Sequence, residues 1–173
     1  MMPPAPVAAA LVAFAAYVVV QRFAELAISA RNGRRLAAQG ACFRSDDGFR
    51  FIVVLHVLFP LALIAEVTLL GARPGPAWPG WLGLWLGAQV LRLAAVRALG
   101  PRWHVRVVTL PGVAPVRHGP YRLLRHPNYV AVVVEFVASA MLFGAWRTMI
   151  AISLLNAVAL ARRIRVENEA VYG

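Results

Sequence analysis

Apolar residues along this chain fall into long runs separated by clusters of arginine. The first run covers about 5–28, the second 51–70 and the third 81–99. A helix that crosses a bilayer needs roughly 20 mainly apolar residues, so each run predicts a span. After a long polar segment come two shorter runs, 129–143 and 148–161, parted only by Gly144, Ala145, Trp146 and Arg147. So tight a connection predicts an antiparallel helical hairpin. The pattern as a whole predicts an all-α integral membrane protein of about five transmembrane helices, the last two paired. Residues 1–99 would hold three helices and a loop at 31–50, and residues 100–173 a long loop, the hairpin and a C-terminal tail. Strand-like alternation occurs in 103–113, which ends in the turn pair Pro111-Gly112. That tract is expected to lie over the membrane face as an ordered cover.

Composition agrees with a bilayer setting. Hydrophobic residues make up 61% of the chain and charged residues 14%, where a soluble domain carries about a quarter charged. A formal charge of +11 would suit nucleic acid. The arginines, however, sit between apolar runs, where they meet anionic headgroups and set topology, so no nucleic-acid partner is expected. Segment 31–50 carries Arg31, Arg34, Arg35, Arg44 and Arg50; segment 100–128 carries Arg102, Arg106, Arg117, Arg122 and Arg125; the tail adds Arg162, Arg163 and Arg165. The alternate loops carry only Arg73 and Arg147. The positive-inside rule then puts the N-terminus outside, and both basic loops and the C-terminus in the cytoplasm. Residues 1–21 contain no charged side chain, so the first run reads as a span and not as a cleaved signal peptide. Cys42 is the single cysteine, and no CxxC or HExxH spacing predicts a metal site. Gly83 and Gly87 form a GxxxG in the third run, a face suited equally to packing within the chain or between copies.

Two constellations offer chemistry. The first runs from Gly119 through Tyr121, Arg125, His126, Pro127 and Asn128 to Tyr129, at the mouth of the fourth apolar run. Pro127 suits a first helical turn, so free backbone N–H groups and the positive end of the helix dipole would face the loop. Such a place suits a carboxylate or phosphate on a ligand; an interfacial anchor of Tyr and Arg accounts for the same residues less fully. The second is Arg163 and Glu167, one turn apart at the end of the fifth helix. Arg before Glu is the weaker order for a surface ion pair, and acids are disfavoured at a helix C-terminus, which favours a ligand role. Within the spans, Arg22 and Glu25 can pair one turn apart, whereas His56, Glu66, Arg92 and Glu135 need partners that spacing does not name. Interhelical contacts are expected for them.

At these constellations the chain resembles the isoprenylcysteine carboxyl methyltransferase family of integral membrane methyltransferases. The shared features are Gly119-x-Tyr121, Arg125-His126-Pro127-x-Tyr129, a helical hairpin, and Arg163-Ile164-x-x-Glu167. The short chain, Arg22-x-x-Glu25 and the 103–113 tract look like a bacterial branch whose members include O-methyltransferases of alkylpyrones and alkylresorcinols, which would place the protein in the bacterial plasma membrane. The resemblance implies an S-adenosylmethionine site built from the loop and the hairpin. Arg106, Val113, Ala114, Pro115 and Val116 would wall it, and Tyr121, His126, Pro127, Asn128, Tyr129 and Glu167 would surround the cofactor. Arg163 would orient the acceptor, a carboxylate or an enol or phenol oxygen on a lipophilic molecule entering from the bilayer. The family often has a second Glu where this chain has Asn168. Other readings are an NADPH-dependent membrane reductase of related architecture, a phospholipid N-methyltransferase, and a non-catalytic adaptor bound to membrane lipids.

Overall fold

A computed structural model describes residues 4–44 and 48–172. Five long helices dominate: α1 (Ala5–Ala38), α2 (Phe49–Thr68), α3 (Trp78–Leu99), α4 (Pro127–Leu142) and α5 (Trp146–Tyr172). Ser45, Asp46 and Asp47, inside the expected 31–50 loop, lie outside the described residues. Helices α1, α2 and α3 are long and apolar enough to cross a membrane, and α4 is a shorter apolar helix.

Two helices exceed their predicted ends. Helix α1 runs 34 residues, about 51 Å at 1.5 Å per residue, well beyond a hydrocarbon core of about 30 Å. Hydropathy marks where the bilayer ends, but Arg, Ala and Leu are strong helix formers, so 29–38 continues as helix instead of opening a loop. Helix α5 likewise runs unbroken to Tyr172. Arg163 and Glu167 are therefore interior helical positions, and the expectation that they close the helix, with its dipole argument, is overturned. The all-α expectation also needs amending. The 103–113 tract contributes the strand β2 (Val108–Thr109), which pairs antiparallel with β1 (Cys42–Phe43) from the α1–α2 connection.

The core follows from helical periodicity. Leu55, Phe59, Leu63 and Val67 recur every four residues on α2 and are almost fully buried, meeting Leu11, Phe14 and Val18 of α1 and Val132, Phe136 and Ala140 of α4. Phe59 and Phe136 pack with ring centroids 4.9 Å apart, and Phe14 and Phe143 at 5.5 Å. Large apolar side chains on the outer faces, such as Val12, Val20, Leu86 and Val158, remain exposed, as lipid-facing positions do. A side chain on Gly83 or Gly87 would meet nothing within 4 Å, so the GxxxG face is open and does not pack within the chain.

Of the ionisable residues in the apolar runs, Arg22, Glu25, Glu66, Arg92 and Glu135 find partners across helices. The expected interhelical hydrogen bond of His56 is not formed among the described residues: its Nδ1 lies 2.8 Å from the Ile52 carbonyl of its own helix, and its ring meets Phe136 of α4. Glu25 and Glu135 hold Arg22 and Arg92 in one cluster: Arg22 bonds Glu25 at 2.6 Å and Glu135 at 3.0 Å, and Arg92 bonds Glu25 at 3.2 Å and also Glu135. Gln89 adds a hydrogen bond to Glu135 at 2.9 Å. Two arginines and two glutamates cancel, so α1, α3 and α4 are joined without net buried charge. Glu66 accepts from the backbone N–H groups of Arg147 and Thr148 at 3.1 and 2.6 Å. It thereby satisfies two of the donors that the first turn of α5 leaves over. Gly144, at φ +72°, makes the turn before α5, and a Cβ there would lie 1.8 Å from the Arg73 carbonyl oxygen. Gly144→Ala is expected to lower stability by about 1–3 kcal/mol, read as a lower melting temperature of the detergent-purified protein.

Candidate active site

Helix α4 begins at Pro127, where a missing N–H leaves nothing unpaired, and His126 stands before it with no side-chain cap. Three residues on, one helical turn, Tyr129 comes back under His126, and the two rings stack with centroids 5.3 Å apart and planes 14° from parallel. Helix α5 presents Arg163 and Glu167 to the same ring. Arg163 Nε donates to the Tyr129 hydroxyl at 2.8 Å, and that hydroxyl donates to Glu167. Tyr129 is thus the link between the two residues that sequence spacing singled out. Arg163 also donates to the Val105 carbonyl, which ties the loop after α3 to α5. Asn168, where the family often has a second Glu, lies 3.1 Å from His126 Nε2 through its side-chain oxygen. Nε2 of the ring therefore has a neutral partner, while Nδ1 faces the Glu167 carboxylate at 3.7 Å.

Burial pushes the Glu167 carboxyl up, but the adjacent His126 ring, the Tyr129 hydroxyl and the Arg163 guanidinium outweigh it and hold the carboxyl below the usual carboxylate range. A depressed folded value means that the stabilisation is complete above the ordinary carboxylate value and is lost as pH falls through the lowered one. On acidification through that window the wild-type melting temperature should fall more steeply than that of Glu167→Gln. Parallel slopes for the two proteins would show that Glu167 carries no such linkage.

Two cavities meet at this cluster. One, of about 410 Å³, is walled by the loop after α3 and the first turn of α4. Arg106, Val113, Ala114, Pro115, Val116, Tyr121, His126, Asn128, Tyr129, Arg163 and Glu167 all line it. Pro127 does not; it is buried beneath as the first residue of α4. The other, of about 450 Å³, lies between α1, α2 and α4 and is mainly apolar, with Val19, Phe23, Val53, Val57 and Leu61 among its walls. Trp103, His104, Asn128, Tyr129 and Arg163 line both.

Sequence spacing did not identify Trp103 and His104 as boundary residues, although their tract was expected to cover the site. Their placement depends on α1. Asn32 donates to the Trp103 carbonyl at 2.8 Å, and Ser29 accepts from the Val105 N–H at 3.2 Å. Small polar residues three apart on one helical face were the available signal. Arg102 donates to the Ala114 carbonyl at 2.9 Å and so holds the far wall of the polar cavity.

The fold and site are those of a membrane protein with a polar chamber opening onto an apolar one. Residues 81–172 match the isoprenylcysteine carboxyl methyltransferase (ICMT) family, and the chain belongs to that family, which makes it a membrane methyltransferase. It is 38% identical to the uncharacterized protein YpbQ of Bacillus subtilis (strain 168) over 156 residues, 90% of this chain and 93% of that one. It is 25% identical to an uncharacterized protein of Haemophilus influenzae over 157 residues, 90% and 91% of the two chains. No solved structure matches the chain significantly.

Proposed function

We propose that the protein transfers a methyl group from S-adenosylmethionine to an oxygen of a lipophilic acceptor, at the boundary between the two cavities. The observation that carries this reading is the sharing of Tyr129, Arg163 and Asn128 by a polar chamber and an apolar one. A water-soluble donor and a lipid-phase acceptor need such a meeting point, and neither chamber alone provides it.

The residues present fit the cofactor. A cavity of about 410 Å³ lies within the usual range of small-ligand sites, roughly 300–1,000 Å³. The ionised Glu167 suits a ligand that carries positive charge, and the N-terminus of α4 suits its carboxylate. The side-chain oxygen of Asn128 is buried without a hydrogen-bond partner among the described residues, leaving an acceptor at the boundary. Tyr121, His126, Tyr129 and Glu167 would hold the group, with Arg106 and the wall from Val113 to Val116 closing around it. When bound, S-adenosylmethionine supplies a methyl already activated by a sulfonium.

The chain's own task is then alignment and exclusion of water. Arg163 is buried and fixed by Tyr129 and the Val105 carbonyl, so its guanidinium is preorganised to orient an anionic oxygen. A carboxylate, or an acidic enol or phenol, meets it from the apolar side. Holding two reactants in line can be worth roughly 7–11 kcal/mol of barrier. In this reading the polar cavity faces the cytoplasm and the tail of the acceptor lies toward the bilayer.

Calorimetric titration of the detergent-purified protein tests the cofactor. Saturable binding of S-adenosylmethionine, abolished by His126→Ala, is expected. Binding of NADPH in its place would reassign the site to a reductase.

A further inference from the structure

Leu123 is 86% exposed and Leu124 38%, and they stand between Arg122 and Arg125, which are exposed as well. The 3₁₀ turn Gly119–Arg122 leads into them, and their N–H groups both reach the Pro120 carbonyl, at 3.2 and 2.9 Å. Two exposed leucines on a soluble loop would be ordinary. These two lie where apolar helices end.

Arg92 of α3 bonds Glu135 of α4. Arg92 precedes the end of α3 at Leu99 by about 10 Å, and Glu135 follows the start of α4 at Pro127 by about 12 Å, at 1.5 Å per residue. The two helix ends therefore come to nearly one level. The chain between them returns to that level at Gly119, where a Cβ would lie 3.2 Å from the Cβ of Ala98 in the last turn of α3. Residues 119–126 thus bridge the end of a helix long and apolar enough to cross a membrane and the start of a shorter apolar one. That is the level of lipid headgroups.

The charge there has one sign. No acidic residue occurs from 67 to 134, and Arg122 has no ion-pair partner among the described residues. A nucleic acid or an acidic protein would satisfy the arginine and leave both leucines in water. A lipid with an anionic headgroup satisfies both: its phosphate meets the guanidinium, and its first acyl carbons meet the leucines. Tyr121, just before these residues, and Arg125 among them also line the polar cavity. One side of this stretch therefore belongs to the cavity and the other to the membrane.

The geometry points to a lipid-docking surface at residues 122–125, with Arg122 on the phosphate of an anionic lipid and Leu123 and Leu124 in the acyl boundary, so that the bilayer supports one wall of the polar cavity. The inference rests on the fold and holds whatever the cavity binds.

A nitroxide spin label at position 123 tests the docking. The full-length protein carries it through Leu123→Cys and Cys42→Ser, changes at two exposed positions, in nanodiscs of phosphatidylcholine with phosphatidylglycerol. The label should collide more often with oxygen, which dissolves in lipid, than with a neutral nickel chelate, which stays in water. The ratio of seated to free label should fall about fivefold in Arg122→Gln, the equivalent of about 1 kcal/mol per arginine near an anionic surface. It should fall at least as far in phosphatidylcholine alone. A label that meets the chelate more often than oxygen would overturn the proposal. A seated fraction indifferent to either Arg122 or phosphatidylglycerol would overturn it too, leaving the leucines as an ordinary part of the lipid-facing surface.

Discussion

Glu135→Ala is expected to destabilise the protein by about 3–5 kcal/mol, the usual consequence of removing one partner from a buried charge cluster. Glu135 touches both Arg22 and Arg92 as well as Gln89. Its loss leaves two guanidinium groups sharing the single carboxylate of Glu25, with Arg92 only 3% exposed. Glu135→Gln keeps the shape but forfeits the charge, and should fall between. Replacing Glu135 and Arg92 together by leucine restores charge balance, because Arg22 retains Glu25 at 2.6 Å. The double variant should therefore recover much of the loss, since apolar replacements of a buried pair are often neutral or better. Unfolding in mixed micelles followed by fluorescence measures all three. If Glu135→Ala matched the wild type within about 0.5 kcal/mol, the size of an ordinary surface substitution, the cluster would have no structural weight.

The second large effect is on activity. Arg163→Ala should lower turnover by about 100- to 1,000-fold, the scale of losing one preorganised group at a developing charge, with a smaller effect on cofactor affinity. Glu167→Ala should chiefly weaken cofactor binding. The hydrogen bonds through the Tyr129 hydroxyl predict more than this division of labour. Tyr129→Phe removes the acceptor of Arg163 Nε and the donor to Glu167 in one step, so it should impair both binding and turnover. Titration and single-turnover assays of the three variants separate these cases. Identical defects in Arg163→Ala and Glu167→Ala would contradict the separate roles, and an unaffected Tyr129→Phe would remove the link.

Much of this site could be read from spacing because its parts are local. Pro127 opening α4 puts His126 and Tyr129 one turn apart, and Arg163 and Glu167 share a face of α5 by the same periodicity. Arg22 and Glu25 follow that rule as well. The periodicity of one helix says nothing about which other helix it meets. Glu135 finds Arg92 and Arg22 at sequence separations of 43 and 113, and nothing local announces either. Glu66 was visible as a costly buried acid, but its partners are backbone groups of a turn 81 and 82 residues away. The 103–113 tract showed alternation yet not its partner, because Cys42 and Phe43 form a strand of only two residues. Helix ends were misjudged for a different reason. Hydropathy reports where an apolar run ends, and both α1 and α5 continue past that point as helix.

The most direct measurement is transfer of a labelled methyl group from S-adenosylmethionine to a long-chain phenol and to a prenylated cysteine, with the full-length protein in liposomes. Label should appear in the organic phase with at least one acceptor and should be nearly abolished by Arg163→Ala. A protein that binds the cofactor yet labels neither acceptor, or labels one equally well without Arg163, would contradict the account of methyl transfer at the boundary of the two cavities.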